Sequence, residues 1–69
     1  MNLNILTKRE KEVFDFLIKN KSTKEISLLL NITEKTVRNH ISNVIGKLGV
    51  SSRTQAILQL LRHNIIKID

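Results

Sequence analysis

Residues 34–48 read Glu-Lys-Thr-Val-Arg-Asn-His-Ile-Ser-Asn-Val-Ile-Gly-Lys-Leu. Val37, Ile41, Val44, Ile45 and Leu48 recur at i, i+4, i+7, i+8 and i+11, the spacing that gathers apolar side chains on one face of an α-helix. Thr33 stands before the stretch as an N-cap, and Glu34 lies in the first turn, where the helix dipole favours an acid. Gly49 follows, and glycine supplies the left-handed residue on which many helices stop. At 100° per residue, the side opposite the apolar stripe holds Lys35, Asn39, Ser42, Asn43 and Gly46, with Arg38 and Thr36 on its flanks. Solvated helices ordinarily mix Glu with Lys on their outer face. This one carries no acid after Glu34. Its outer face suits an anionic, hydrogen-bonding partner, and the plainer alternative is a polar side shown only to water.

Helix starts recur on both sides. Thr7-Lys-Arg-Glu10 and Ser22-Thr-Lys-Glu25 are capping boxes, in which the hydroxyl accepts from the third residue's N–H and the carboxylate reaches back. Ser52-Arg-Thr-Gln55 repeats the pattern with an amide. Proline is absent, there are two glycines, and nothing alternates with period two for long, so strands are not expected. The spacing predicts helices near 8–20, 23–30, 34–48 and 53–63, with Asn31 as a turn residue between the second and third. Val13, Phe14, Phe16, Leu17 and Ile18 form the apolar face of the first helix, and Leu3, Ile5 and Leu6 are expected to fold back onto it. The second offers Ile26, Leu29 and Leu30. The fourth offers Ile57, Leu60 and Leu61, with Val50 leading in. A short helix, a tight turn and a second helix that is polar outward and flanked by cations make a helix-turn-helix arrangement. An α-helix fits the major groove, where base edges present a distinct pattern of donors and acceptors. There Arg38 suits guanine, Asn39 suits adenine, and Ser42 serves either.

The whole chain of 69 residues allows one small domain, spanning 1–69. It has no cysteine, which excludes disulfides and thiolate metal sites. Its hydrophobic share, 41%, is too high for a disordered basic tail. No apolar run approaches the ~18 residues of a membrane span and no signal peptide is visible, so a cytoplasmic location is expected. Met1 and the lack of a linker favour a complete chain. The net charge is +6, and between Lys19 and Arg53 seven cations face only Glu25 and Glu34. That basic centre points to a polyanion, with nucleic acid ahead of acidic lipid.

Leu6-Thr-Lys-Arg-Glu-Lys-Glu-Val-Phe14, Ser22-Thr-Lys-Glu-Ile26, Glu34-Lys-Thr-Val-Arg-Asn-His-Ile-Ser-Asn43, Lys47-Leu-Gly-Val50 and Arg53-Thr-Gln-Ala56 resemble the LuxR/GerE-type helix-turn-helix family. The likeness runs from about Leu6 to Leu61 and is nearest to members that act as stand-alone sporulation regulators. It implies an all-α, four-helix DNA-binding domain whose third helix enters the major groove and whose fourth pairs two protomers. By position it makes Arg38, Asn39 and Ser42 base-reading residues, with Lys35 and Asn43 beside them. It places Thr23 and Lys24 on a phosphate, at a helix start that favours anions. Thr36, Lys47, Arg53 and Thr54 are further phosphate candidates, and Glu10 is structural. The implied partners are double-stranded DNA, a second copy of the chain, and RNA polymerase as a further candidate. The implied role is sequence-specific transcription regulation, with a sporulation link. Ser27 stands where a small Ala is common in the family, and Lys21 where Gly is often found.

His40 and His63 have no metal-ligand spacing, so no metal, cofactor or small-molecule ligand is expected. His40 flanks the core stripe and is expected to be half-buried. Gly46, in mid-helix, costs ~1 kcal/mol relative to Ala; it marks either a close approach to a DNA strand or a tolerated defect. Leu58 and Ile65 share one edge of the fourth helix, which is either scattered surface or half of a two-fold interface with Leu58, Leu61 and Arg62 taking part. A basic module for membranes or partner proteins would carry its apolar face on one long helix, whereas here several short helices need each other. No carboxylate pair, phosphate-cradling glycine loop or His-supported nucleophile suggests an enzyme.

Overall fold

The computed structural model describes residues 5–68. Four helices follow in order: α1 (Lys8–Leu17), α2 (Thr23–Leu30), α3 (Glu34–Leu48) and α4 (Arg53–Arg62). Among the described residues there is no strand, and no helix is long and apolar enough to cross a membrane. The expectation for Leu3 falls outside the described residues.

Every helix begins on a hydroxyl. Thr7 accepts from the Glu10 N–H at 3.1 Å and Glu10 accepts from the Thr7 N–H at 2.9 Å, which closes the first capping box. Ser22 and Glu25 close the second at 3.1 and 3.0 Å. Thr33 accepts from the Thr36 N–H at 3.1 Å. The expected box at α4 forms only by half. Ser52 accepts from the Gln55 N–H at 3.2 Å, but the Gln55 amide oxygen reaches one residue further and accepts from the Ser51 N–H and hydroxyl, both at 2.8 Å.

Every helix also ends alike. Asn20, Asn31, Gly49 and Asn64 take up positive φ of 64°, 57°, 68° and 57°. One residue beyond each, an N–H donates to the carbonyl five residues back: Lys21 to Phe16, Ile32 to Ser27, Val50 to Ile45 and Ile65 to Leu60. This is the Schellman closure, and asparagine takes the left-handed position more readily than other residues with a side chain. Because Asn20 stops it, α1 is shorter than the expected 8–20.

The core is built from all four helices. Val13 and Phe14 of α1, Ile26 of α2, Val37, Ile41 and Val44 of α3, and Ala56 and Leu60 of α4 are buried together. The long helix α3 packs against each of the others, so its inner face fixes the direction of its outer one. A fully buried Phe14 is worth about 3–5 kcal/mol against Ala. Two features correct the sequence reading. Leu29 is 56% exposed and not part of the core; the inner face of α2 is Ile26 and Ser27, with Leu30 half-buried beside them. Ile66, beyond the last helix, is only 2% exposed and closes the end of the core.

Candidate nucleic-acid interface

The outer face of α3 is open. Lys35, Arg38, Asn39, Ser42 and Asn43 are all exposed, and Thr36 and His40 are half-buried at its edges. Val37, Ile41 and Val44 are buried on the opposite side, so the polar groups point outward because the apolar ones cannot. Among the described residues, the side chains of Lys35, Arg38, Asn39, Ser42 and Asn43 make no intramolecular hydrogen bond or ion pair. On α1 the surface charges behave differently: Lys11 pairs with Asp15 at 2.9 Å and Arg9 with Glu12 at 3.7 Å. The α3 face thus holds guanidinium, ammonium, amide and hydroxyl groups that no described residue consumes. The Thr36 hydroxyl is engaged and accepts from the Thr33 hydroxyl at 2.9 Å.

The start of α2 lies against the start of α3. The Thr23 hydroxyl donates to the Glu34 carboxylate at 3.3 Å. That bond uses the hydroxyl proton, so the donor Thr23 offers an anion is its backbone N–H, one of those a helix start leaves unpaired. Lys24 is exposed beside it, and its side chain has no partner among the described residues. Hydrogen bonds from the Ser22 backbone hold the Glu25 carboxyl below the usual carboxylate range.

Lys47 is engaged within the fold. Its ammonium binds the Glu10 carboxylate and the Ile5 carbonyl, which ties the end of α3 to the start of α1. A lysine whose charge is met by a carboxylate has less to offer a phosphate, and Lys47 holds the frame together. Glu10 is 3% exposed. Burial alone would raise its carboxyl, but the bonds from Lys47 and Thr7 prevail and hold it below the ordinary value. Local spacing could not reveal this pair, since its members lie 37 positions apart.

Arg53 and Thr54 are exposed at the start of α4. Further along, Leu58 is 56% exposed. It shares a shallow groove of about 450 Å³ with Val50, Ser51, Gln55, Gln59 and Arg62. The structure brings Leu58 and Arg62 together there, whereas Leu61 turns half-buried toward the core. The sequence marks Gln55 only as a capping residue and gives Gln59 no signal. Gly46 is exposed, and a methyl built on it would meet nothing within 4 Å, so the fold gives no reason for a glycine at that position. Among the described residues no three His, Cys, Asp or Glu side chains gather as metal ligands.

A family model described as bacterial regulatory proteins, luxR family, matches residues 4–60. The chain is 62% identical over 58 residues to the spore germination protein GerE of Bacillus subtilis, covering 84% of this chain and 78% of that one. It is 48% identical over 60 residues to an uncharacterised transcriptional regulatory protein, YhcZ, of the same organism, and 43% identical over 63 residues to the response regulator protein VraR of Staphylococcus aureus. It spans 28% and 30% of the lengths of those two. A solved structure of the transcription factor GerE superposes with a TM-score of 0.93 at 59% identity, covering 96% of this chain and 98% of that one.

Proposed function

Because the chain belongs to the luxR family of bacterial regulatory proteins, we propose that it reads duplex DNA with the outer face of α3 laid in the major groove. It is a DNA-binding transcription regulator of the helix-turn-helix kind, not an enzyme. The observation that carries the α3 assignment is the set of unconsumed donors and acceptors on one rigid helix face. Arg38, Asn39 and Ser42 read base edges, and Lys35 and Asn43 lie at the groove walls. Lys24, the Thr23 backbone N–H, Thr36, Arg53 and Thr54 hold phosphates and fix the register.

The chain acts as one domain, 1–69, and binds as a homodimer. In a two-fold arrangement the α4 groove receives Leu58 of the second copy, with Arg62 at the rim and Leu61 buttressing from the core side. Two α3 helices then meet two half-sites about one helical turn apart. The work is done in the cytoplasm, and RNA polymerase is a further partner. The likeness to a spore germination protein supports a place in spore formation or germination.

Fluorescence anisotropy against duplexes selected from a random pool, at several salt concentrations, tests the reading. Log affinity should fall linearly with log salt. Lys24→Ala should weaken all duplexes alike and reduce the slope by about one. Asn39→Ala should cost about 1–3 kcal/mol on the selected site and relax preference at one position. If Asn39→Ala binds selected and random duplexes as the parent does, α3 is not the reading element.

A further inference from the structure

A second basic concavity is lined by no residue of α2 or α3. It opens between the outer edge of α1 and the tail beyond α4, with a volume of about 460 Å³. Its walls are fixed by the fold. Asn64 turns the chain with φ 57°, the Ile65 N–H closes onto the Leu60 carbonyl at 2.9 Å, and Ile66 is driven into the core. The half-buried Ile18 and Ile65 give the cleft an apolar floor. Lys19 and Lys67 flank it and form no ion pair among the described residues. Among the described residues, the other charges lining the cleft, Lys11 and Asp15, satisfy each other.

We propose that this cleft docks an acidic, amphipathic segment of a partner protein. The charge is complementary: carboxylates meet Lys19 and Lys67 while an apolar side chain covers Ile18 and Ile65. Nucleic acid fits less well, because an isoleucine floor offers phosphates no donor and bases no planar stacking surface. Since α1 packs on the inner side of α3, a regulator seated on duplex DNA keeps this cleft free and can engage the partner at the same time. The inference stands on the cleft alone and does not depend on which α3 residues read bases.

The test uses the full chain, labelled with ¹⁵N, at 150 mM salt, titrated with a synthetic twelve-residue peptide alternating Asp or Glu with Leu. Amide shifts should gather at Ile18, Lys19 and 64–67. The double variant Lys19→Gln/Lys67→Gln should bind the peptide about fivefold more weakly, the scale of two exposed ion pairs, with unchanged Tm and duplex DNA affinity within twofold of the parent. Shifts centred on α3 would mean that the peptide only mimics a phosphate chain, and would overturn the proposal. Loss of DNA affinity matching the loss of peptide affinity would assign the cleft to nucleic acid and overturn it too, as would no shift at millimolar peptide.

Discussion

Replacing Glu10 by Gln removes one charge and little else. The Gln amide oxygen can still accept the Thr7 N–H, so the capping box survives, but the Lys47 ammonium loses its carboxylate. Breaking one side of a fully buried pair costs about 3–5 kcal/mol. Lys47 keeps 34% of its side chain exposed, so water solvates part of the freed charge and the cost falls to about 1–2 kcal/mol. A chain of this size has a total stability of only ~3–10 kcal/mol, so the melting temperature should drop by about 5–15 °C. Lys47→Met should cost a similar amount, and the double variant much less than the sum, which is the mark of a coupled pair. The pH dependence has a definite sign. Glu10 is held below its ordinary value of 4.5, so its contribution is complete above that value and is lost as pH falls through the lowered folded value. The gap between the parent and Glu10→Gln should therefore close in acid. Circular dichroism melts from pH 7 to pH 3 measure all of this. Unchanged melting for both single variants would refute the framing role. Normal melting of Lys47→Met together with a DNA salt slope reduced by about one would assign Lys47 to a phosphate and not to the frame.

Three further outcomes are expected. Gly46→Ala places a methyl in open space and should stabilise the fold by about 1 kcal/mol, a rise of about 4–8 °C in melting temperature; weaker DNA binding in that stabilised variant would show that a strand passes close to the end of α3. Leu58→Glu should leave the melting temperature within a few degrees, because the side chain is 56% exposed, yet abolish paired occupancy of a two-half-site duplex in analytical ultracentrifugation. Asn31→Gly should be neutral or mildly stabilising, whereas Asn31→Val, forced to a φ of 57°, should lose about 1–3 kcal/mol in urea unfolding.

The fold is legible wherever it depends on neighbours a few residues apart. A hydroxyl followed three places later by Glu or Gln marks three of the four helix starts, and Thr33 with Glu34 marks the other. The stripe Val37, Ile41, Val44 is long enough to fix which side of α3 faces inward, and that one fact also sets the outer face. Where the local signal is short or shared, the reading slips. α2 is only eight residues long, and its run Leu28-Leu29-Leu30 fits more than one phase, so spacing alone does not keep Leu29 out of the core. Asn20 and Asn64 end helices as Asn31 does, but an asparagine after a helix looks like any polar loop residue until its φ is known. Ile66 follows the last helix, where periodicity no longer applies. The bonds from Lys47 to Glu10 and from Thr23 to Glu34 join distant parts of the chain, so the free and engaged members of the basic set could be separated only in three dimensions.

Amide shift mapping of the ¹⁵N-labelled chain on a selected duplex addresses the role of α3 most directly. Perturbations should concentrate at Lys35, Arg38, Asn39, Ser42 and Asn43, with a second group at Thr23 and Lys24, while Lys11, Asp15 and Lys19 stay still. A complex in which residues 35–43 keep their free positions while another surface shifts would contradict the account.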